Sequence, residues 1–222
     1  MKVRIKFSKR GVLKYIGHLD LMRYFQKAFR RTDIDVLYSK GFSPHMIMSF
    51  AQPLGVGVES DGEYFDVEVN DSEDVSLFKD KLNEQMAEGI VILDAVVLPN
   101  DTKNAMASVA AADYEIHFYK NVPPLKELIE KYNSTSSVGF VKTTKTGEHF
   151  IDVKEFVFDI KAISDDILFI KVDCSSSGNL KPKSLCEVLF KLKDLDLDFY
   201  PFHVVRKETY KRDENLTLVP LI

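Results

Sequence analysis

The sequence GHLDLMRYFQKAFRRTDIDVLYSKGFSPHMIMSFAQPLGVGVESDGEYFDVE, residues 17–68, contains the patterns that decide the fold. Its first part is helical, because apolar residues recur at helical spacing between basic ones. This predicted apolar stripe consists of Leu19, Met22, Phe25 and Phe29. The SKGFSP segment, residues 39–44, is a loop interrupted by Gly41 and Pro44. Clean alternation of apolar and polar residues in Glu63–Val69 predicts a strand.

Strands and helices follow the same order in the two halves of the chain. In the N-terminal half, Lys2–Phe7 and Ile90–Leu98 are predicted strands, and Asp74–Met86 is a predicted amphipathic helix. After a small, polar connection at residues 99–112, the β-α-β-β-α-β order starts again. We therefore predict an α+β fold of two ferredoxin-like (βαββαβ) halves in tandem, with antiparallel sheets and helices on one face.

The predicted domain boundaries follow from this connection. Residues 1–105 form the N-terminal ferredoxin-like half, which carries the basic helix and the SKGFSPH loop. Residues 112–222 form the C-terminal ferredoxin-like half, in which a hairpin is inserted around a turn at Thr143–Gly147.

The composition is that of a globular protein, with 45% hydrophobic and 29% charged residues. The longest apolar stretches are far shorter than the roughly 20 residues that a membrane-spanning helix needs. The N-terminal MKVRIKFSKR lacks the apolar region of a signal peptide. Cys174 and Cys186 are the only cysteines, too few for a disulfide framework. We expect a cytoplasmic protein without membrane contact.

The net charge of −4 hides an uneven distribution of charge. Residues 1–50 contain eleven Lys or Arg against three Asp, a local balance of 11 − 3 = +8. Such a segment is typical of nucleic-acid contact, although a solvated basic face is the alternative. An exposed aromatic among cations can stack a base of RNA, whereas Phe42 buried under its loop would be part of the core. The candidate RNA-binding residues are Arg23, Lys27, Arg30, Arg31, Lys40 and Phe42.

Three residues of the same stretch are candidates for acid–base chemistry: His18, Asp20 and His45. Each also has a structural interpretation, in a hydrogen bond or at the start of a helix. Motifs of zinc proteases, serine hydrolases and nucleotide-binding loops are absent, and GVGVES, residues 55–60, contains too few glycines for such a loop. We therefore predict no metal and no cofactor, and the sequence does not show a reaction.

Several segments taken together resemble a known family. GHLDLMR, KAFRR, YSKGFSPH, MSFAQPLGVGVES and EYFDVE resemble the uncharacterised radical SAM-linked family, whose members are fused to radical SAM proteins or encoded beside them. The resemblance is carried by about residues 2–69. It implies a companion to radical SAM chemistry. Because this chain has no CxxxCxxC, the iron–sulfur cluster would be held by the partner.

Three hypotheses of function follow. In the first, the protein binds RNA through its basic segment and presents it to a radical SAM partner enzyme. In the second, it is a metal-independent RNase or an RNA-modifying enzyme that uses His18 and His45, by analogy with the tandem ferredoxin-like CRISPR endoribonucleases. In the third, it is a protein–protein adaptor that docks to the radical SAM partner without nucleic acid.

Overall fold

The computed structural model describes residues 1–144 and 147–222. These residues form a mixed α+β structure, which confirms that part of the predicted fold class. They divide into two compact units: unit 1 comprises residues 1–110 and 206–222, and unit 2 comprises residues 111–205. This division assigns the last segment, residues 206–222, to unit 1, because its side chains pair there. The domain boundaries at 1–105 and 112–222 stay a prediction.

The helices and strands follow one another along the whole chain. Up to residue 110 they are β1 (Lys2–Lys9), α1 (His18–Phe29), β2 (Met48–Phe50), β3 (Glu59–Glu68), α2 (Phe78–Asn83), β4 (Ile90–Leu98) and α3 (Ala105–Ser108). The following segment contains β5 (Ala111–Phe118), α4 (Leu125–Ser134), β6 (Gly139–Thr144), β7 (Gly147–Asp152), β8 (Val157–Ala162), β9 (Ile167–Asp173) and α5 (Pro182–Lys191). The chain ends with β10 (Phe202–Arg212) and β11 (Leu218–Pro220).

The sheet of unit 1 has the strand order β4-β1-β3-β10, with β2 paired to β3 and β11 paired to β10. Strand β1 pairs antiparallel with both neighbours, so that Ile5 lies between Phe65 and Ala95. Its alternating apolar residues, Val3, Ile5 and Phe7, are fully buried in the core. The alternation in the sequence thus places the correct face of β1 inward.

The other face of β1 is only partly buried, and its most buried residue is Arg4. Arg4 is 0% exposed, whereas Lys2 and Lys6 on the same face are half-buried. Arg4 Nε donates to Asp66 Oδ1 at 2.7 Å, and its Nη2 donates to Asp66 Oδ2 at 3.0 Å. Two backbone carbonyls, of Lys103 and Leu221, accept the remaining hydrogen bonds of this guanidinium. Buried charges of this kind are tolerated only when they are paired.

Helix α1 forms where the spacing predicts it, but its buried stripe is rotated. The residues that face the core are Leu21, Phe25, Ala28 and Phe29. Leu19 is 60% exposed instead. The predicted stripe was therefore wrong in its first turn, where Leu21 and not Leu19 faces the core.

Unit 2 contains the antiparallel order β5-β9-β8, and β10 lies beside β5. Within this unit, Tyr119 N donates to Pro201 O at 3.3 Å. Strands β6 and β7 pair with each other at the place of the predicted hairpin. The middle of the predicted turn at Thr143–Gly147 lies outside the described residues.

The Arg4–Asp66 pair can be tested through stability. Arg4→Met should lower the free energy of unfolding by about 3–5 kcal/mol, because it leaves the Asp66 carboxylate buried without its cation. Lys126→Met, which removes the cation of the exposed pair with Asp165, should cost about 0–1 kcal/mol. Urea unfolding of both variants measures the difference. Equal losses would show that the buried pair is not important for unit 1.

Candidate nucleic-acid interface

Most cations of β1 and of the turn after it are paired inside unit 1. Lys6 Nζ lies 2.5 Å from Glu208 Oε2, and Lys14 Nζ lies 3.2 Å from Glu59 Oε1. Arg10 donates from Nε to Asp61 Oδ1 at 2.7 Å. Together with the Arg4–Asp66 pair, these contacts account for four of the eleven N-terminal cations. For this part of the segment, most of the basic charge is therefore paired with acidic side chains of the same unit.

Helix α1 and its C-terminal end carry a different set of cations. Arg23, Lys27, Arg30 and Arg31 follow the spacing i, i+4, i+7 and i+8, and all four are exposed. The spacing places Arg23 and Lys27 on one side of α1, and Arg30 and Arg31 follow directly after its last residue, Phe29. Arg23 contacts Asp20 at 3.3 Å in an exposed pair, which contributes little. Among the described residues, Lys27, Arg30 and Arg31 have no ion-pair partner.

The SKGFSPH loop is closed at its base and presents its tip to solvent. Ser39 N donates to His45 O at 2.8 Å, and Tyr38 and Met46 form a β-bridge just outside this contact. Gly41 has a φ of +120°, which side-chain-bearing residues rarely adopt. Lys40 is exposed and has no ion-pair partner in the described part of the chain. The Phe42 side chain is fully exposed, at 111% of its reference area.

The exposure of Phe42 decides between its two interpretations. As a core residue it would be covered by its loop, and that interpretation is wrong. The ring is open to solvent instead, in the same loop as the exposed Lys40.

The structure does not bring His18, Asp20 and His45 together. His18 packs edge-to-face on Phe50, with 5.4 Å between ring centroids, whereas the His45 ring Nδ1 lies 2.9 Å from Ser39 Oγ. Phe50 follows His45 by five positions along extended chain, which corresponds to about 16 Å at roughly 3.3 Å per residue. Asp20 is exposed and faces Arg23. A joint acid–base site of the three residues has no geometric support.

His18 instead belongs to a buried polar cluster that sequence patterns did not indicate. A cavity of about 10 Å³ is lined by Lys9, His18, Gln52 and Glu63. Glu63 Oε1 accepts from Arg206 Nη1 at 2.9 Å, and Lys9 Nζ donates to Ile16 O at 3.3 Å. This volume is enough for one water molecule. Glu63 and Arg206 are 143 residues apart in the chain, so that no local pattern could have linked them.

Burial determines the protonation of this cluster. It lowers the pKa of the His18 imidazole below its ordinary value, and the nearby Glu63 carboxylate opposes the shift. It also lowers the pKa of the Lys9 amine, again against the attraction of Glu63. Uncharged His18 therefore fits the cluster better than the imidazolium.

Among the described residues, no group of three or more His, Cys, Asp or Glu side chains is arranged to hold a metal ion. None of their helices is long and apolar enough to cross a membrane.

The lowered pKa of His18 predicts a pH dependence of stability. Below the ordinary value of about 6.5, the unfolded chain binds a proton that the folded chain resists, so stability is lost as pH falls toward the folded pKa. The variant His18→Gln lacks this titration. The advantage of the wild type over the variant in urea unfolding should therefore shrink from pH 7.5 to pH 5.5. A constant or growing advantage would contradict the buried, neutral imidazole.

Comparison with solved structures finds matches of low sequence identity and with TM-scores below 0.5. A chain of "Crystal Structure of a Cbf5-Nop10-Gar1 Complex" matches with 13% identity and a TM-score of 0.46, covering 97% of this chain and 51% of that one. A chain of "Structure of H/ACA RNP bound to a substrate RNA containing 2'-deoxyuridine" matches with 12% identity and a TM-score of 0.47, covering 97% and 50%. The first two RRM domains of yeast poly(U)-binding protein Pub1 match with 12% identity and a TM-score of 0.24, covering 93% and 98%.

The chain thus spans about half the length of the first two chains that it matches. No curated protein matches the sequence. A family model does match, over residues 2–182, and it is described as "Uncharacterized protein conserved in bacteria (DUF2344)". This match covers most of the chain, and the protein belongs to the DUF2344 family of bacteria.

Proposed function

We propose that this protein binds single-stranded RNA through a surface that we name the basic face. The basic face consists of Arg23, Lys27, Arg30, Arg31, Lys40 and Phe42. One observation carries the proposal: the N-terminal cations separate into a paired, internal set and an exposed set that is largely unpaired. The exposed set lies on one helix and in the SKGFSPH loop, which also exposes Phe42.

The chemistry of the basic face suits the backbone of a polyanion. Arginine guanidinium groups bind phosphate oxygens in a bidentate geometry, and lysine adds point charges. Cations at the C-terminal end of α1 also interact favourably with the helix dipole, which stabilises the helix by about 0.3–1 kcal/mol for each cation. Helix stabilisation does not explain the exposed aromatic ring in the loop.

Phe42 gives the basic face a preference for unpaired bases. Bases of single-stranded RNA stack on aromatic rings, whereas a duplex keeps its bases inside. Stacking of one base on an aromatic side chain contributes about 1–3 kcal/mol.

We also propose that the RNA is presented to a radical SAM enzyme in the cytoplasm. Support for the partner comes from the resemblance of residues 2–69 to the radical SAM-linked family. Among the described residues, Cys174 and Cys186 are not joined by a disulfide, which fits a reducing compartment. Purification of the tagged chain from its bacterium should recover a protein that contains CxxxCxxC. Repeated recovery without any such protein would contradict the partnership.

The fold that we propose for the two units is ferredoxin-like. With β2 at the edge, unit 1 has the order β4-β1-β3-β2, and the other unit has β10-β5-β9-β8. Each order supports a split βαβ arrangement, in which two crossing helices connect antiparallel strands.

The basic face predicts a strong salt dependence of RNA binding. The variant with Arg23, Arg30, Arg31 and Lys40 changed to Ala should bind a fluorescent single-stranded RNA much more weakly. If each cation meets one phosphate, the slope of log affinity against log salt should fall by about 3. Fluorescence polarisation between low and moderate salt measures both quantities.

A matched control removes the same number of charges from unit 2. Its four substitutions change the exposed residues Lys120, Lys126, Lys131 and Lys191 to Ala. This control should bind nearly as the wild type does, apart from a small effect of net charge. Equal weakening by both variants would show that attraction is non-specific and would overturn the basic face.

Stacking on Phe42 is tested separately, without a change of charge. Phe42→Ala should weaken binding of single-stranded RNA by about 1–3 kcal/mol and leave the salt slope unchanged. Phe199, 68% exposed in unit 2, provides the control variant Phe199→Ala. Unchanged affinity of Phe42→Ala would show that the ring does not stack on RNA. The variant with four cations changed to Ala tests the contribution of charge separately.

A further inference from the structure

Unit 2 contains a groove that the basic face does not include. Its volume is about 360 Å³, and it lies between the β6–β7 hairpin and the loop that precedes α5. The hairpin side supplies Phe140 and Ile151, with Phe156 from the turn that follows. The loop side supplies Ser176, Asn179 and Lys181 among its lining residues. The volume is in the range of small-molecule sites.

The hairpin side of the groove is apolar and aromatic. Phe140 and Ile151 lie directly opposite each other in the register of β6 and β7. The side chains of Phe140, Ile151 and Phe156 are half-buried, so that each retains a face toward the groove. Among the described residues, neither phenylalanine packs against another aromatic ring. These surfaces are available to a flat apolar group.

The loop side is held firmly at its base. Ser175 N donates to Asp173 Oδ1 at 2.8 Å, and Leu180 N donates to Asp173 O at 3.1 Å. Gly178 packs so closely that a Cβ there would lie 2.6 Å from the Asp173 carboxylate. The loop therefore presents a fixed set of polar groups and cannot accept a larger residue at Gly178.

The polar groups toward the groove have unused hydrogen-bonding capacity. In the described part of the chain, Ser176 has no hydrogen-bond partner. Asn179 Oδ1 lies 3.9 Å from Cys174 Sγ, a weak contact that leaves both amide N–H groups available. Lys181 is exposed and has no ion-pair partner among the described residues. The groove thus combines aromatic walls, an amide, a hydroxyl and one cation.

We propose that this groove binds one unpaired nucleotide. A nucleobase is flat, apolar on its faces and hydrogen-bonding on its edges, and proteins read unpaired bases by stacking and by contacts to those edges. Phe140 and Phe156 receive the base, Asn179 and Ser176 contact its edge, and Lys181 meets the phosphate. That the nucleotide belongs to RNA held by the basic face rests on the proposed function.

The four ribonucleoside 5′-monophosphates are suitable probes for the intact chain. Titration followed by amide chemical shifts should show weak binding, on the order of 1 mM, with changes at residues 139–141 and 176–181. Asn179→Ala, a surface change that keeps the fold, and Phe156→Ala should each weaken binding on the order of tenfold. The control Phe150→Ala alters a hairpin residue that is 57% exposed and does not line the groove. It should leave binding unchanged.

The outcomes separate this proposal from that of the basic face. Absence of shifts at the groove with all four probes, or binding unaffected by both Asn179→Ala and Phe156→Ala, overturns the nucleotide site. The variant with Arg23, Arg30, Arg31 and Lys40 changed to Ala should bind the monophosphates as the wild type does. If that variant loses RNA binding and keeps monophosphate binding, both proposals are supported. If it keeps RNA binding, only the proposal of the basic face is contradicted.

Discussion

The buried pair of Arg4 and Asp66 is the interaction on which unit 1 depends. It joins β1 to β3, and the same guanidinium reaches the carbonyls of Lys103 and Leu221. Asp66 in turn accepts a hydrogen bond from Ala105 N at 2.7 Å. One ion pair, which is shielded from water, thus joins β1, β3, the connection around Lys103 and the C-terminus. Both charges must be paired, because either charge left alone at this buried position would lower the free energy of unfolding.

The same principle divides the basic N-terminal segment in two. Cations of β1 and the following turn have acidic partners within unit 1, such as Glu208 for Lys6 and Glu59 for Lys14. In the part of the chain that the structure describes, the cations of α1 and the SKGFSPH loop have no acidic partner that is comparably buried. The exposed cations therefore lie on α1, directly after it and in the SKGFSPH loop, which also exposes Phe42. We propose that these residues meet a polyanion that offers unpaired bases.

Local patterns were sufficient for the elements but not for the partners. Helical spacing predicted α1, and alternation predicted the buried Val3, Ile5 and Phe7 of β1. The same alternation placed Arg4 in water, because it cannot detect a carboxylate 62 residues away. The cluster around His18 and Glu63 depends on Arg206 from the far end of the chain and was invisible for the same reason. Exposure of Phe42 also depended on the fold, since its loop could equally have closed over the ring.

The position of the RNA contact on the protein tests the basic face most directly. Amide chemical shifts of the labelled chain, recorded while a short single-stranded RNA is added at low salt, map that contact residue by residue. We predict that the strongest changes occur in residues 23–31 and 39–45, and that they vanish at high salt as counterions compete for the phosphates. Changes confined to other segments, or no changes at low salt, would contradict an RNA-binding face on α1 and the SKGFSPH loop.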